Sequence, residues 1–187
     1  MKRIVILGAA ESGVGAALLA AQHGYDVFVS DAGAIKPAYR VELESAGIPY
    51  EEGRHTEALI LKADVLVKSP GIPGEAPLLR KARTSGVEII SEIEWAYRHL
   101  PAHARIIAIT GTNGKTTTTL MTHHLLKGDG FDVGLGGNIG VSFARLLTDE
   151  PHEWYVLEIS SFQLDDIVRF RPDIGIITNL SPNHLNR

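Results

Sequence analysis

The sequence predicts an α/β protein of two units, each organised around a parallel sheet, and three observations predict it. Short apolar, β-branched runs recur along the chain and alternate with helical stretches, as βαβ units require. Two of these runs, at residues 3–7 and 106–109, lead at once into a glycine-bearing turn and then a helix. That is how α/β proteins bring a helix N-terminus and backbone amides to a phosphate group. Between them, Leu100-Pro101-Ala102-His103-Ala104 reads as a short linker and divides the chain into residues 1–101 and 102–187.

In the first unit Arg3–Leu7 reads as a strand, Gly8–Gly15 as a glycine loop, and Val14–His23 as a helix with an apolar stripe at Val14, Ala17, Leu18 and Ala21. Val27–Ser30 is a second strand, closed by Asp31. Glycines at a turn, a helix N-terminus and an acid after the second strand make a Rossmann-like opening. Ala10 stands where the dinucleotide fingerprint places its second glycine, which keeps the backbone further from a pyrophosphate and disfavours a nicotinamide cofactor. Asp31 has two readings, as a contact to a ribose or base and as a turn residue in a plain Rossmann-like unit. A helix at Tyr39–Ala46, an extended piece at Ile48–Tyr50 and the strand Val65–Lys68 follow. Ser69-Pro70-Gly71-Ile72-Pro73 then sets a stiff turn at the carboxyl end of that strand, where open α/β sheets take ligands. A helix at Pro77–Ser85, a strand at Glu88–Ile90 and a helix at Ile93–Leu100 complete the unit.

The second unit opens on RIIAITGTNGKTTTTL, residues 105–120. Ile106–Ile109 is a buried strand, and the Thr-rich segment after Lys115 continues as a helix to about Lys127. Gly111 and Gly114 let the loop turn its N–H groups inward, with Thr112 and Asn113 between them. Lys115 is placed to reach the outer phosphates, Thr116 to offer a hydroxyl to Mg²⁺, and Thr117 to continue the helix N-terminus. The first glycine of the full P-loop pattern would fall on Ile109, inside the strand, so this is a shorter G-x-x-G-K-T variant of a P-loop ATPase-type unit. The expected ligand is ATP; a lysine merely solvated at a strand-to-helix turn is the plainer alternative.

Asp132–Leu135, Trp154–Leu157 and Ile174–Ile177 read as further strands. They end in Gly136-Gly137-Asn138-Ile139-Gly140, in Glu158-Ile159-Ser160-Ser161-Phe162-Gln163-Leu164, and in Asn179-Leu180-Ser181-Pro182-Asn183-His184. If the sheet is parallel, Lys115, Thr116, Glu158 and His184 lie along one edge, which makes Lys115, Glu158 and His184 the catalytic candidates. Glu158 can share Mg²⁺ with Thr116 or can accept backbone N–H groups at its own turn. His184 is a candidate by position only. A P-loop sheet normally has more strands, so this unit is expected to be the N-terminal part of a larger domain.

Composition removes other classes. The chain has 187 residues, 44% hydrophobic and 21% charged, with a formal charge of -4, so nothing electrostatic calls for nucleic acid. With no cysteine there is no disulfide, thiolate metal site or cysteine nucleophile. MKRIVILGAA runs straight into a glycine turn and a helix, unlike a signal peptide, and no apolar run approaches the roughly 18 residues of a membrane span. A cytoplasmic enzyme with no membrane partner is expected.

TGTNGKTTT resembles the ATP loop of the Mur ligases and the folylpolyglutamate synthases. Together with KRIVILGAAESGVGAALLA, SPGIP, SEIEWAYR, GGNIG, LEISSFQL and NLSPNHLNR, it resembles the Mur ligase family along the whole chain, and SSFQL after Glu158 resembles its D-glutamate-adding branch. The resemblance implies an ATP-dependent, amide-bond-forming ligase of peptidoglycan synthesis. It implies ATP and Mg²⁺ as cofactors, UDP-N-acetylmuramoyl-L-alanine and D-glutamate as substrates, and an acyl phosphate between them. It further implies that Glu11, Ser12, Asp31 and Gly71 line a uridine and diphosphate pocket, that Asn138 touches the sugar-diphosphate, and that Glu158 and His184 hold or support metal near the reacting carboxylate. Asn183 and Asn186 depart from the family pattern, in which acids commonly flank this histidine. The family's remaining domains would lie past Arg187, so the chain by itself is expected to bind the UDP end of the substrate but not to ligate.

Other classes explain less. A nicotinamide-dependent oxidoreductase leaves GTNGKTTTT unused, and a nucleotide-binding switch leaves the first unit unused. A folylpolyglutamate-type ligase should not begin with a separate Rossmann-like unit.

Overall fold

The computed structural model describes residues 1–149 and 151–182. The chain opens with β1 (Arg3–Leu7), α1 (Glu11–Gln22), β2 (Asp26–Ser30), α2 (Pro37–Ser45), β3 (Tyr50–Glu51), α3 (Glu57–Ile60), β4 (Val65–Lys68), α4 (Pro77–Thr84), β5 (Glu88–Ser91) and α5 (Glu92–Tyr97). Its strands form one parallel sheet in the order β3-β2-β1-β4-β5. The alternation of a strand sends Ile4 and Ile6 of β1 into the core with α1 and α5, and Val5 and Leu7 into the core with α3 and α4. Both faces are covered, which is why β1 reads as an unbroken apolar run. The chain moves outward from β1 to β3 and then returns to β4. The switch point between β1 and β4 is where such sheets open a crevice.

The β1–α1 connection is shorter than the glycine loop expected from the sequence. Helix α1 begins at Glu11, so Gly13 and Gly15 lie within it. Packing accounts for both: a Cβ at Gly13 would lie 1.8 Å from the Gly8 carbonyl oxygen, and one at Gly15 would lie 2.3 Å from Ser142 Oγ. Helix α2 starts earlier than expected because Pro37 occupies its first turn, where a missing N–H costs nothing.

The chain continues with β6 (Arg105–Thr110), α6 (Lys115–Gly128), β7 (Val133–Gly137), α7 (Phe143–Leu146), β8 (Trp154–Glu158), α8 (Ser161–Leu164) and β9 (Ile174–Ile177). These strands form a second parallel sheet, β7-β8-β6-β9. Leu120, Met121 and Leu125 of α6 and both ends of β9 are exposed. No helix among the described residues is long and apolar enough to cross a membrane.

The two sheets are joined through α5 and α7. Glu92 and Glu94 of α5 are both buried and both reach across. Glu94 Oε2 accepts from three consecutive amides, Val168 (2.9 Å), Arg169 (2.8 Å) and Phe170 (2.8 Å), while Oε1 takes Arg98 Nε at 2.8 Å. Burial opposes its charge, but these donors more than offset burial and hold its carboxyl below the usual range. Glu92 has only the Ala144 amide, on Oε1 at 2.6 Å, and its Oε2 has no partner among the described residues. Burial prevails there and, with Glu11 nearby, pushes the carboxyl up to about 7.

Glu92 therefore costs stability as pH rises. Below the unfolded value near 4.5 both states carry its proton; between there and about 7 the folded state binds more protons, so stability falls, and above about 7 the loss is complete. This amounts to on the order of 3 kcal/mol. Glu92→Gln should escape it, so urea denaturation should show its stability relative to wild type rising by about 2–3 kcal/mol from pH 5 to pH 8. Gly13→Ala should destabilise by at least about 2 kcal/mol through its main-chain clash. Gly128→Ala, with nothing within 4 Å of the added carbon, should stay within about 0.5 kcal/mol.

Candidate functional site

At the switch point between β1 and β4 a cavity of about 350 Å³ opens. Its walls come from the β1–α1 connection (Gly8, Ala10, Glu11, Ser12), the turn after β2 (Asp31, Ala32), His55, and Ser69–Ile72 after β4. Glu11, Ser12, Asp31 and Gly71, singled out from sequence, thus share one cavity. Asp31 also serves the fold: Oδ2 accepts from the Ala9 amide at 2.6 Å and Oδ1 from the Gly33 amide at 2.7 Å. The turn reading describes its hydrogen bonds and the ligand reading describes its place. Glu11 Oε1 accepts from the Ser142 amide and pairs with Arg145 Nε, so its charge is spent on the second sheet's side of the molecule. His55 carried no signal in the sequence; it follows a two-residue strand and meets Ser30 Oγ through Nδ1 at 2.7 Å.

The second site lies at the carboxyl edge of the other sheet. Gly114 caps α6 with φ +79, and Gly111 has φ +134 with no room for a side chain, since a Cβ would lie 2.2 Å from Thr178 Oγ1. The loop rests on the segment after β9. Thr112 N donates to the Asn179 carbonyl (3.0 Å) and Asn113 N to Asn179 Oδ1 (3.1 Å), while Thr178 Oγ1 and Asn179 Nδ2 both donate to the Asn113 carbonyl. The Thr112 and Asn113 amides, expected to turn inward, are therefore taken by Asn179. The amides left for an anion are those that open α6, from Gly114 to Thr117, which have no carbonyl within the helix. Lys115 Nζ folds back onto the carbonyls of Gly111 (2.8 Å) and Thr112 (3.2 Å). Beside the loop is a cavity of about 430 Å³, walled also by Ser160, Ser161 and Phe162, which sequence reasoning had not assigned.

Glu158 ends β8 and is 2% exposed. Its Oε2 accepts from Thr116 Oγ1 at 2.6 Å and its Oε1 from Asn138 Nδ2 at 2.8 Å. Its carboxylate thus meets side chains from the first turn of α6 and from the turn after β7, where the turn reading had it accept backbone amides. Among the described residues no group of three or more His, Cys, Asp or Glu is arranged to hold a metal. One carboxylate and one hydroxyl do suit Mg²⁺, which usually takes its other ligands from phosphate and water. His184, Asn183 and Asn186 lie outside the described residues.

The turn after β7 connects the two sites. Gly137, at φ +100, closes it through its amide to the Val141 carbonyl at 2.8 Å. At one end Asn138 holds Glu158, and at the other the Ser142 amide holds Glu11.

Residues 2–91 match the family model described as Mur ligase MurD-like, N-terminal domain, and residues 109–187 match that of the Mur ligase middle domain. The proteins named UDP-N-acetylmuramoylalanine--D-glutamate ligase in Cytophaga hutchinsonii and Bacteroides fragilis are each 56% identical to it across 100% of this chain. The chain spans 41% and 42% of their lengths. Among solved structures, the UDP-N-acetylmuramate:L-alanyl-gamma-D-glutamyl-meso-diaminopimelate ligase of Neisseria meningitides is 26% identical with a TM-score of 0.65, over 98% of this chain and 62% of that one. The UDP-N-acetylmuramate-alanine ligase MurC of Thermotoga maritima is 25% identical with a TM-score of 0.61, over 100% of this chain and 43% of that one. With the model of one Mur ligase domain matched over residues 2–91 and that of the next over residues 109–187, the chain belongs to the Mur ligase family.

Proposed function

We propose that this chain carries the substrate-nucleotide unit and part of the ATP unit of a ligase that adds D-glutamate to UDP-N-acetylmuramoyl-L-alanine, a cytoplasmic step of peptidoglycan synthesis. The observation that carries the reading is the meeting of Thr116, Asn138 and Glu158 beside the α6 N-terminus, tied by one short turn to the cavity of the first unit. The names of its relatives at 51–56% identity support the choice of amino acid and acceptor.

The residues present fit the group. The amides that open α6, which no carbonyl within the helix takes, and the positive end of the helix favour an anion. Among the described residues Lys115 is held by carbonyl dipoles, and it would exchange them for fully charged phosphate oxygens, a stronger hydrogen bond. Thr116 and Glu158 would hold Mg²⁺, and Asn138 would keep the Glu158 carboxylate turned toward it. Bound ATP with Mg²⁺ would supply the phosphoryl group that makes the substrate's terminal carboxylate an acyl phosphate, releasing ADP, and the D-glutamate nitrogen would then attack the acyl carbon with inorganic phosphate leaving. The protein needs no nucleophile of its own; its residues bind, align and neutralise charge. In the first unit the Gly8 and Ser69 turns, with Glu11, Ser12, Asp31 and Gly71, would take the uridine diphosphate end. Ser69 Oγ, buried without a partner among the described residues, is a hydroxyl available for such a ligand.

Calorimetric titration should show UDP binding to the chain and NADH not binding, with Asp31→Ala weakening UDP about tenfold by releasing the Ala9 amide and the cavity wall. NADH binding in place of UDP would overturn the assignment of the first unit. In the protein that carries this chain, phosphate release should require ATP, UDP-N-acetylmuramoyl-L-alanine and D-glutamate together. Lys115→Ala should lower it by about 10²-fold or more with an unchanged melting temperature. Full activity in that variant would show that the lysine is merely solvated.

A further inference from the structure

Lys68, the last residue of β4, is only 2% exposed, and the proposed ligation does not use it. Its ammonium donates to the Ile72 carbonyl at 3.0 Å and lies 3.1 Å from Asp166 Oδ2. The second contact is electrostatic and not directed, since that oxygen accepts no well-angled hydrogen bond among the described residues. Asp166 belongs to the other half of the chain, just after α8. Its Oδ1 lies 3.4 Å from Arg83 Nη2, and Arg83 Nη1 donates to the Gly74 carbonyl at 2.7 Å. The Ser91 amide adds a 3.0 Å bond to the Asp166 main-chain oxygen.

Two cations of the first unit thus grip two carbonyls of one turn, and both face one carboxylate of the second unit. Of the gripped turn, Ser69 through Ile72 form a wall of the first cavity, and Gly74 lies just beyond that wall. Because Lys68 and Asp166 are 2% and 12% exposed, salt screens their attraction little. Asp166 itself does not line the cavity, and it follows the helix that begins just beyond Glu158.

We propose that Lys68, Arg83 and Asp166 form a positioning clamp through which the second unit sets the wall of the first unit's cavity, so that affinity there for a nucleoside diphosphate depends on Asp166. The proposal rests on the reading of that cavity as a uridine diphosphate site. Removing one partner strands the other's buried charge, so the variants D166N and K68M are compared with the double variant K68M/D166N, which strands neither. UDP is titrated into each by calorimetry, with the melting temperature recorded alongside. Amide hydrogen exchange of residues 69–76 is followed without ligand. Each single variant should bind UDP about tenfold more weakly, the double variant no more weakly than the worse single one, and exchange in D166N should rise in the 69–76 segment while β1 and β2 keep their protection. UDP affinity in D166N within twofold of wild type overturns the proposal, and so do strictly additive losses, which would mean that each side chain acts alone. If wild type fails to bind UDP, the assignment of the cavity fails; exchange still decides the clamp, and unchanged exchange in D166N overturns it.

Discussion

Glu94 is the contact on which the relation between the two sites depends. Its buried carboxylate takes three consecutive amides from a turn of the second sheet's chain and a guanidinium from its own helix. Hydrogen bonds to a charged acceptor are worth roughly 1.5–3 kcal/mol each, and breaking one partner of a buried charge costs more than the bond itself. The bonds are directional, so they set orientation as well as strength. Glu92, two positions earlier on α5, shows what the count of donors decides: one amide leaves burial dominant and the carboxyl high, whereas Glu94 with its four donors is held low.

The remaining joints repeat this chemistry. Arg145 of the second unit sits between Glu11 and Glu42 of the first, Asp166 between Lys68 and Arg83, and the Ser142 amide on Glu11. The apolar packing of α1 against α7 lies among them, close enough that Gly15 can carry no side chain. Polar contacts, most of them directed, around an apolar seam favour one arrangement of the two sheets over its neighbours. Each carboxyl edge is thereby presented to the turn after β7, which carries Asn138 and Ser142 on one short loop.

Much of this architecture was legible in the chain. The strands β1, β2, β4, β6 and β8 were found within a residue or so because a sheet buried on both faces demands continuous β-branched runs. Helices α3, α7 and α8 were not found: each has four residues, about one turn, too short for a 3.6-residue period to register. Gly13 and Gly15 were placed in a loop because glycine usually marks one; here they admit close neighbours inside a helix, a packing fact that no local rule contains.

By itself the sequence determined two strand–turn–helix openings, the shortened G-x-x-G-K-T loop, and the choice of Lys115, Thr116 and Glu158 as groups that a parallel sheet would bring to one edge. Local chemistry suffices for that, because side-chain period, glycine's access to positive φ and the positive end of a helix all act within a few residues. The tertiary structure alone decided where the bonds of these groups go. It gave the Thr112 and Asn113 amides to Asn179, Asp31 Oδ2 to the Ala9 amide, Asn138 to Glu158, and Lys68 to an acid in the other unit. These are contacts between residues tens of positions apart, set by how the two sheets dock, and neither periodicity nor turn chemistry encodes a pairing across that distance.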